Sequence, residues 1–85
     1  MSVSEKIKSL LKLKSKKNKD LAEYLNITPQ SMRNKFNRGS FSVEDLIKIS
    51  DFLGCKLFID AGDEIKIPLT INDLRIDEPV VQDNE

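Results

Sequence analysis

The chain has 85 residues, no histidine and one cysteine, Cys55, and its 14 basic and 14 acidic residues cancel to a net charge of zero. A single cysteine excludes a disulfide framework within the chain, and the lack of histidine leaves no zinc-site spacing. A chain of this length forms one domain that buries only about 60% of its unfolded surface, so pairing with a second copy is expected. The absence of a long apolar run predicts a cytoplasmic protein without a signal peptide or membrane span.

The charges are distributed unevenly along the chain. Residues 1–40 hold ten Lys or Arg against three acids, a net +7, and residues 41–85 hold four against eleven, a net −7. A basic half is typical of a protein that contacts a polyanion, although lysine-rich stretches are also common as solvated surface. Charge by itself does not choose between these interpretations.

The first half of the chain predicts three short helices. Ser2 and Glu5 form a capping box, and apolar residues then recur at helical spacing, which predicts a first helix from Val3 to Leu13. Asn18 is by its chemistry the best cap for a second helix. The second helix carries its apolar residues on one face, namely Leu21, Ala22 and Leu25.

A tight turn is predicted between the second helix and a third. Asn26 follows Leu25 at a position where a helix end requires positive φ, which asparagine tolerates well. Thr28 is a good N-cap and Pro29 suits the first helical position, so the third helix is expected from Pro29 to about Asn37. The connection of three or four residues is typical of a helix-turn-helix.

The second half predicts one more helix and a hairpin. Ser42 and Asp45 form another capping box, which begins a fourth helix that Gly54 ends. After Gly54 the apolar period changes to strict alternation, so residues 55–69 are predicted to form a β-hairpin that Pro68 closes. Residues 70–85 are acidic and predicted to be a flexible tail, with room for one helical turn near its start.

The predicted fold is mainly α, with a four-helix bundle of the helix-turn-helix type over residues 1–54 followed by the C-terminal β-hairpin. Three positions enforce the helix-turn-helix: Ala22 is small where the helices approach, Asn26 accepts the turn, and Met32 is apolar and packs the third helix onto the second. An ordinary helical corner is the alternative interpretation of this pattern.

The third helix presents a polar side that suits DNA. Met32 and Phe36 define its buried side, and the opposite side carries Gln30, Arg33, Asn34 and Asn37. Gln and Asn can pair bidentately with adenine, and Arg with guanine. An exposed helix face accounts for the polarity alone, but not for the absence of any acid from residue 28 to residue 40, which favours an approach to phosphates.

The segment KDLAEYLNITPQSM, from Lys19 to Met32, resembles the Cro and phage-repressor helix-turn-helix family, also called the XRE type. The resemblance covers about Glu5 to Gly54 and implies a homodimer that binds a palindromic operator in double-stranded DNA and regulates transcription. It makes Asn18 the first helical residue rather than the cap. Leu11 and Phe36 stand where many members have an Arg–Glu ion pair.

Two further features depart from the family pattern. Gly39 comes one residue later than in common members, and the hairpin lies outside the basic bundle. The hairpin resembles that of small prophage-borne regulators of this family that carry a terminal strand pair.

Twelve residues are candidates for DNA contact. The resemblance places four residues near base edges, and helix geometry adds a fifth; these are Thr28, Gln30, Ser31, Arg33 and Asn34. Free N–H groups and the dipole at the start of the second helix attract phosphate near its three lysines, and basic or polar residues at the far end of the third helix can hold the DNA backbone. The resemblance implies that Asn18 matches the family's polar residue that clamps a phosphate. The phosphate candidates are Lys16, Lys17, Asn18, Lys19, Asn37, Arg38 and Ser40.

The sequence leaves two functions open. The first is a sequence-specific DNA-binding transcriptional regulator, acting as a repressor; the alternative is a protein-interaction module, such as an antitoxin, with secondary DNA binding. We expect no enzyme and no cofactor, because no catalytic or metal-binding constellation can be named. The hairpin either covers the bundle with Leu57, Ile59, Ile65 and Ile67 or pairs strand to strand in a dimer.

Overall fold

The computed structural model describes residues 2–74, which form four helices followed by a two-stranded antiparallel hairpin. The predicted mainly helical fold is confirmed. Within residues 2–74, no helix is long and apolar enough to cross a membrane. The predicted flexible tail lies outside the described residues from residue 75 onward, and its predicted helical turn is a 3-10 helix. The elements are α1 (Val3–Leu13), α2 (Asn18–Leu25), α3 (Pro29–Arg38), α4 (Val43–Leu53), β1 (Leu57–Gly62), β2 (Ile65–Leu69) and the 3-10 helix (Ile71–Asp73).

The predicted capping residues begin three of the four helices. The Ser2 hydroxyl accepts the Glu5 N–H at 3.1 Å while the Glu5 carboxylate accepts the Ser2 N–H at 3.0 Å. The same reciprocal pair recurs between Ser42 and Asp45, with both distances 3.0 Å. At α3 the Thr28 hydroxyl accepts the N–H of Ser31 at 3.0 Å. Each bond satisfies a backbone group that the first helical turn leaves unpaired.

The start of α2 differs from the prediction made from chemistry alone. Asn18 is the first helical residue, and the extended backbone of Lys17 makes Lys17 the cap. The lysine side chain has no acceptor atom, so the cap depends on Asp20, whose carboxylate accepts the Lys17 N–H at 3.2 Å. The start of α2 therefore follows the family pattern, with Asn18 as the first helical residue, rather than the capping preference of asparagine.

The core lies where the four helices meet. Met32 of α3 and Leu21 of α2 have no solvent-exposed surface, and Ala22 is buried at the approach of the two helices. Leu11 and Phe36 are both buried in the same cluster, so apolar packing occupies the positions where many relatives have an ion pair. The cluster comprises Ile7, Leu11, Leu21, Ala22, Met32, Phe36, Ile49 and Leu53.

Two left-handed residues set the ends of α2 and α3. Asn26 has φ 61° and ψ 42°, and the next residue, Ile27, donates its N–H to the Ala22 carbonyl at 3.0 Å. Gly39 has φ 64° and ends α3 one turn after Phe36. These conformations favour Asn and Gly, so the turn chemistry that the sequence predicts is confirmed.

Polar contacts fix α3 and α2 against their neighbours. The buried Ser4 hydroxyl of α1 donates to the Phe36 carbonyl of α3 at 2.7 Å. The Lys35 ammonium of α3 lies 2.9 Å from the Asp45 carboxylate at the start of α4. The Tyr24 hydroxyl of α2 donates to Asp51 of α4 at 2.9 Å, and its ring stands 4.9 Å from that of Phe52. The C-terminal half of α3 is thereby tied to α1 and α4, and α2 is tied to α4.

The hairpin turns at Asp63 and Glu64, both left-handed with φ 52° and 65°, as in a type I′ turn. A bulge lies between Asp60 and Gly62. The sequence placed Pro68 at the end of the hairpin, but Pro68 pairs with Phe58 inside the ladder and β2 continues to Leu69. Proline is tolerated there because β2 is an edge strand.

Candidate nucleic-acid interface

The exposed side of α3 carries the residues predicted to read bases. Met32 and Phe36 turn inward to the core, and Gln30, Arg33 and Asn34 are exposed. Since residues three and four apart share one side of a helix, these three side chains form a row along it. We call them the reading row.

Hydrogen bonds join the reading row in the free protein. An Arg33 guanidinium nitrogen donates to the Gln30 side-chain oxygen at 2.6 Å. The Gln30 amide nitrogen donates in turn to the Asn34 side-chain oxygen at 3.3 Å. The Gln30 oxygen and amide nitrogen are each engaged once, and each keeps a second lone pair or N–H for bidentate pairing with adenine. Arg33 keeps further N–H groups that can donate to guanine.

Thr28 and Ser31 lie at the start of α3. The Thr28 hydroxyl donates to the Ser31 hydroxyl at 3.0 Å in addition to accepting the Ser31 N–H. Both residues are exposed. Thr28 therefore has a structural role as the cap of α3, and Ser31 retains acceptor capacity toward a ligand.

A groove of about 260 Å³ runs beside the far end of α3, and both base-reading and phosphate candidates line it. It brings together two base-reading candidates, Ser31 and Asn34, with two phosphate candidates, Arg38 and Ser40. The sequence did not single out Lys35, which also lines the groove; its position four residues after Ser31 on one helix side was the available signal. The complete lining is Ser31, Asn34, Lys35, Arg38 and Ser40.

Charge in this groove comes mainly from Arg38, because Lys35 is paired with Asp45. Partial burial alone raises the pKa of the Asp45 carboxyl, but hydrogen bonds from the Ser42 N–H and the Lys35 ammonium, together with the Lys35 charge, hold that pKa below its ordinary 3.8. Asp45 is therefore an anion at neutral pH and anchors Lys35. Asn37 is exposed in the last turn of α3 but belongs neither to the groove nor to the reading row.

The remaining phosphate candidates form a separate basic cluster at the start of α2. Lys16, Lys17, Asn18 and Lys19 are all exposed. The Lys16 ammonium lies 5.5 Å from the centroid of the Phe52 ring, a cation–π contact that orients it. The Asp20 carboxylate that caps α2 offsets part of the positive field, so the lysines supply the attraction for phosphate.

Tyr24 has a defined structural role, which the sequence did not reveal. Burial first, and then the hydrogen bond and charge of Asp51, raise the pKa of its hydroxyl above the ordinary 10.0. The hydroxyl stays protonated and bound to Asp51. Tyr24 thus joins α2 to α4.

The comparison with protein families agrees with this geometry. Residues 6–58 match the model of the Cro/C1-type HTH DNA-binding domain, which is more than half of the chain. The chain belongs to this family. It is a DNA-binding helix-turn-helix regulator, with α2 and α3 as the two helices of the motif.

The family match has a defined extent. It begins inside α1 and ends at Phe58 in β1, so most of the hairpin lies beyond it. Neither the comparison with curated proteins nor the comparison with solved structures gives a significant match.

Proposed function

We propose that this Cro/C1-type protein is a sequence-specific transcriptional repressor of the cytoplasm that inserts α3 into the major groove. The observation that carries the proposal is the reading row, an exposed and hydrogen-bonded set of Gln30, Arg33 and Asn34 on a helix whose other side is fixed in the core. A rigid helix with converging amide and guanidinium groups is suited to reading base edges.

The twelve candidates divide into two roles under this proposal. The reading row, with Thr28 and Ser31 at the start of α3, faces the bases. The basic cluster at the start of α2 holds the DNA backbone at one side, and Asn37, Arg38 and Ser40 hold it at the other. Contacts to phosphate position the helix but carry no sequence information, whereas contacts to base edges do.

Repression requires only occupancy. A protein bound across a promoter excludes the polymerase without contacting it, so α3 and a stable grip on the operator are sufficient. We propose that the grip comes from a homodimer, whose two α3 helices would lie about 34 Å apart in successive major grooves. The second half-site then binds intramolecularly, which multiplies the affinity.

The test begins with selection of bound duplexes from a random DNA pool, followed by titration of the best site at several salt concentrations. We expect a palindrome, and affinity that falls with salt by roughly 0.9 logarithmic units per phosphate contact for each tenfold rise in salt. A reporter with this site across its promoter should be repressed. A flat salt response, or no selected duplex, would contradict the proposal.

The alternative function, a protein-interaction module with secondary DNA binding, is favoured by one feature, the exposed apolar hairpin. It predicts that purified protein alone binds its best duplex weakly and gains affinity from a second, different protein. Tight binding by the purified chain alone would decide for the repressor.

A further inference from the structure

The hairpin carries an aliphatic face that the rest of the described chain leaves open. Residues paired across an antiparallel ladder point to the same side, and the pairs Leu57–Leu69 and Ile59–Ile67 lie on one side together with Ile65. Leu57 and Leu69 are half-buried, but Ile59, Ile67 and Ile65 are 56%, 51% and 54% exposed. We call these five residues the aliphatic face.

The opposite side of the hairpin differs in chemistry. It carries Phe58, Asp60, Lys66 and Pro68, with the Lys66 ammonium 5.0 Å from the centroid of the Phe58 ring. The aliphatic face has no charged residue, so a partner can cover it without burying a charge. Its three isoleucines are each about half exposed, and adjacent exposed apolar side chains are typical of interaction surfaces.

The two ends of the hairpin carry exposed charges of opposite sign. Lys56 is exposed at the base of the hairpin, and Asp63 and Glu64 form its tip. If two hairpins pack face to face in opposite directions, with the Ile59–Ile67 pairs at the centre, each acidic tip meets the basic base of the other copy. A two-fold interface requires this kind of self-complementarity.

Strand-to-strand pairing explains the same residues less well. Pro68 has no N–H, and a strand proline is confined to positions whose nitrogen faces outward, so the outer edge of β2 lacks a donor in its middle. Pairing through either edge would also leave the aliphatic face exposed to water. Face-to-face packing covers it.

We propose that two copies of this chain associate through their aliphatic faces, with the hairpins packed in opposite directions. The proposal rests on the homodimer of the proposed function and names its contact surface. Acidic residues at the tip argue against an anionic membrane or DNA as the occupant, because both repel carboxylates.

The experiment measures molecular mass by sedimentation equilibrium on the full chain without DNA, so its result is independent of DNA binding. We expect a monomer–dimer equilibrium for the unchanged chain. Ile67→Thr should raise the dimer dissociation constant at least about tenfold, because two isoleucines per dimer lose apolar contact. The matched control Phe58→Thr removes an exposed apolar side chain from the opposite side and should change the dimer dissociation constant less than about threefold.

Exchange of charges tests the direction of packing without altering the apolar residues. We compare the single variant Lys56→Glu with a double variant that carries Asp63→Asn and Glu64→Lys. Each variant by itself should form a weaker dimer, because like charges then meet. An equimolar mixture of the two variants restores opposite charges at both contacts, so it should dimerise at least about fivefold more tightly than either variant at low salt. Circular dichroism checks that each variant is folded.

A chain that remains a monomer at millimolar concentration overturns the proposal. So does a dimer that Ile67→Thr leaves intact, which would indicate pairing through the strand edges. If the mixture of the two variants dimerises no more tightly than either variant alone, the opposed direction of packing is overturned.

Discussion

The helical bundle and the hairpin have equally regular apolar patterns but differ in how far they bury their apolar residues. In α1–α4 the apolar residues recur at helical spacing and converge on one buried cluster. In the hairpin they alternate just as regularly, yet the three isoleucines of the aliphatic face remain about half exposed. The apolar side of each helix packs against the apolar sides of other helices in the same chain. One face of a two-stranded sheet instead needs a second layer, which the described residues do not supply. A well-formed apolar pattern therefore specifies an element but not its partner.

The largest expected difference between the two regions is in stability. Met32→Ala leaves a cavity in the fully buried core and should lower the free energy of unfolding by about 2–5 kcal/mol. Ile67→Ala should lower it by less than about 1 kcal/mol, since half of that side chain is already exposed. Urea unfolding at low protein concentration, where association does not contribute, measures both. Equal losses would mean that the hairpin is part of the core.

The next effect separates the reading row from the basic cluster on the surface of the bundle. Arg33→Ala and Gln30→Ala should each cost about 1–3 kcal/mol on the best site and relax the sequence preference. Lys17→Ala should weaken all duplexes alike, because a phosphate contact does not distinguish sequences. Titrations on selected and random DNA provide the measurement. A uniform loss for all three variants would contradict the assigned roles.

A smaller effect concerns the ion pair that fixes α3 to α4. Because the folded pKa of Asp45 is lowered, its carboxylate stabilises the fold above the unfolded pKa near 3.8, and this contribution disappears as pH falls through the folded pKa. Asp45→Asn should cost about 1 kcal/mol at pH 7, discounted for partial exposure, and the difference from the unchanged chain should vanish in acid.

Glu44→Gln is the matched control for that ion pair. The Glu44–Lys48 pair is 3.0 Å long but well exposed, so its loss should lower the free energy of unfolding by at most about 0.5 kcal/mol. Urea unfolding across the pH range compares the two variants. A difference for Asp45→Asn that persists unchanged in acid would show that the lost carboxylate charge is not its cause.

The smallest effect is a gain in the hairpin. Glu64 has a left-handed φ of 65° that glycine adopts without strain, so Glu64→Gly should stabilise the hairpin by up to about 1 kcal/mol. Asn26→Gly at the end of α2 should change stability less, because asparagine already tolerates that conformation. Amide hydrogen exchange of β1 and β2 reports the first change, and exchange of α2 reports the second.

Local chemistry explains why so much of the fold could be predicted. Capping boxes at Ser2 and Ser42, Pro29 at the first position of α3 and Asn26 at the turn each act within four residues, so their effect is legible in the sequence. The first residue of α2 and the continuation of β2 through Pro68 could not be predicted from local chemistry in the same way. At the start of α2 the Asp20 carboxylate accepts the N–H of the cap residue Lys17. In the hairpin, Pro68 is accommodated because β2 is an edge strand.

The sequence by itself determined the helices, the turn at Asn26 and the exposed polar side of α3, because periodicity and capping are properties of neighbouring residues. Tertiary structure decided what required residues distant in the chain. It joined Lys35 to Asp45 across ten residues, bound Tyr24 to Asp51 across 27, and left the aliphatic face of the hairpin open. A partner across space depends on how elements pack, and packing depends on the shape of the whole fold rather than on any local stretch of sequence.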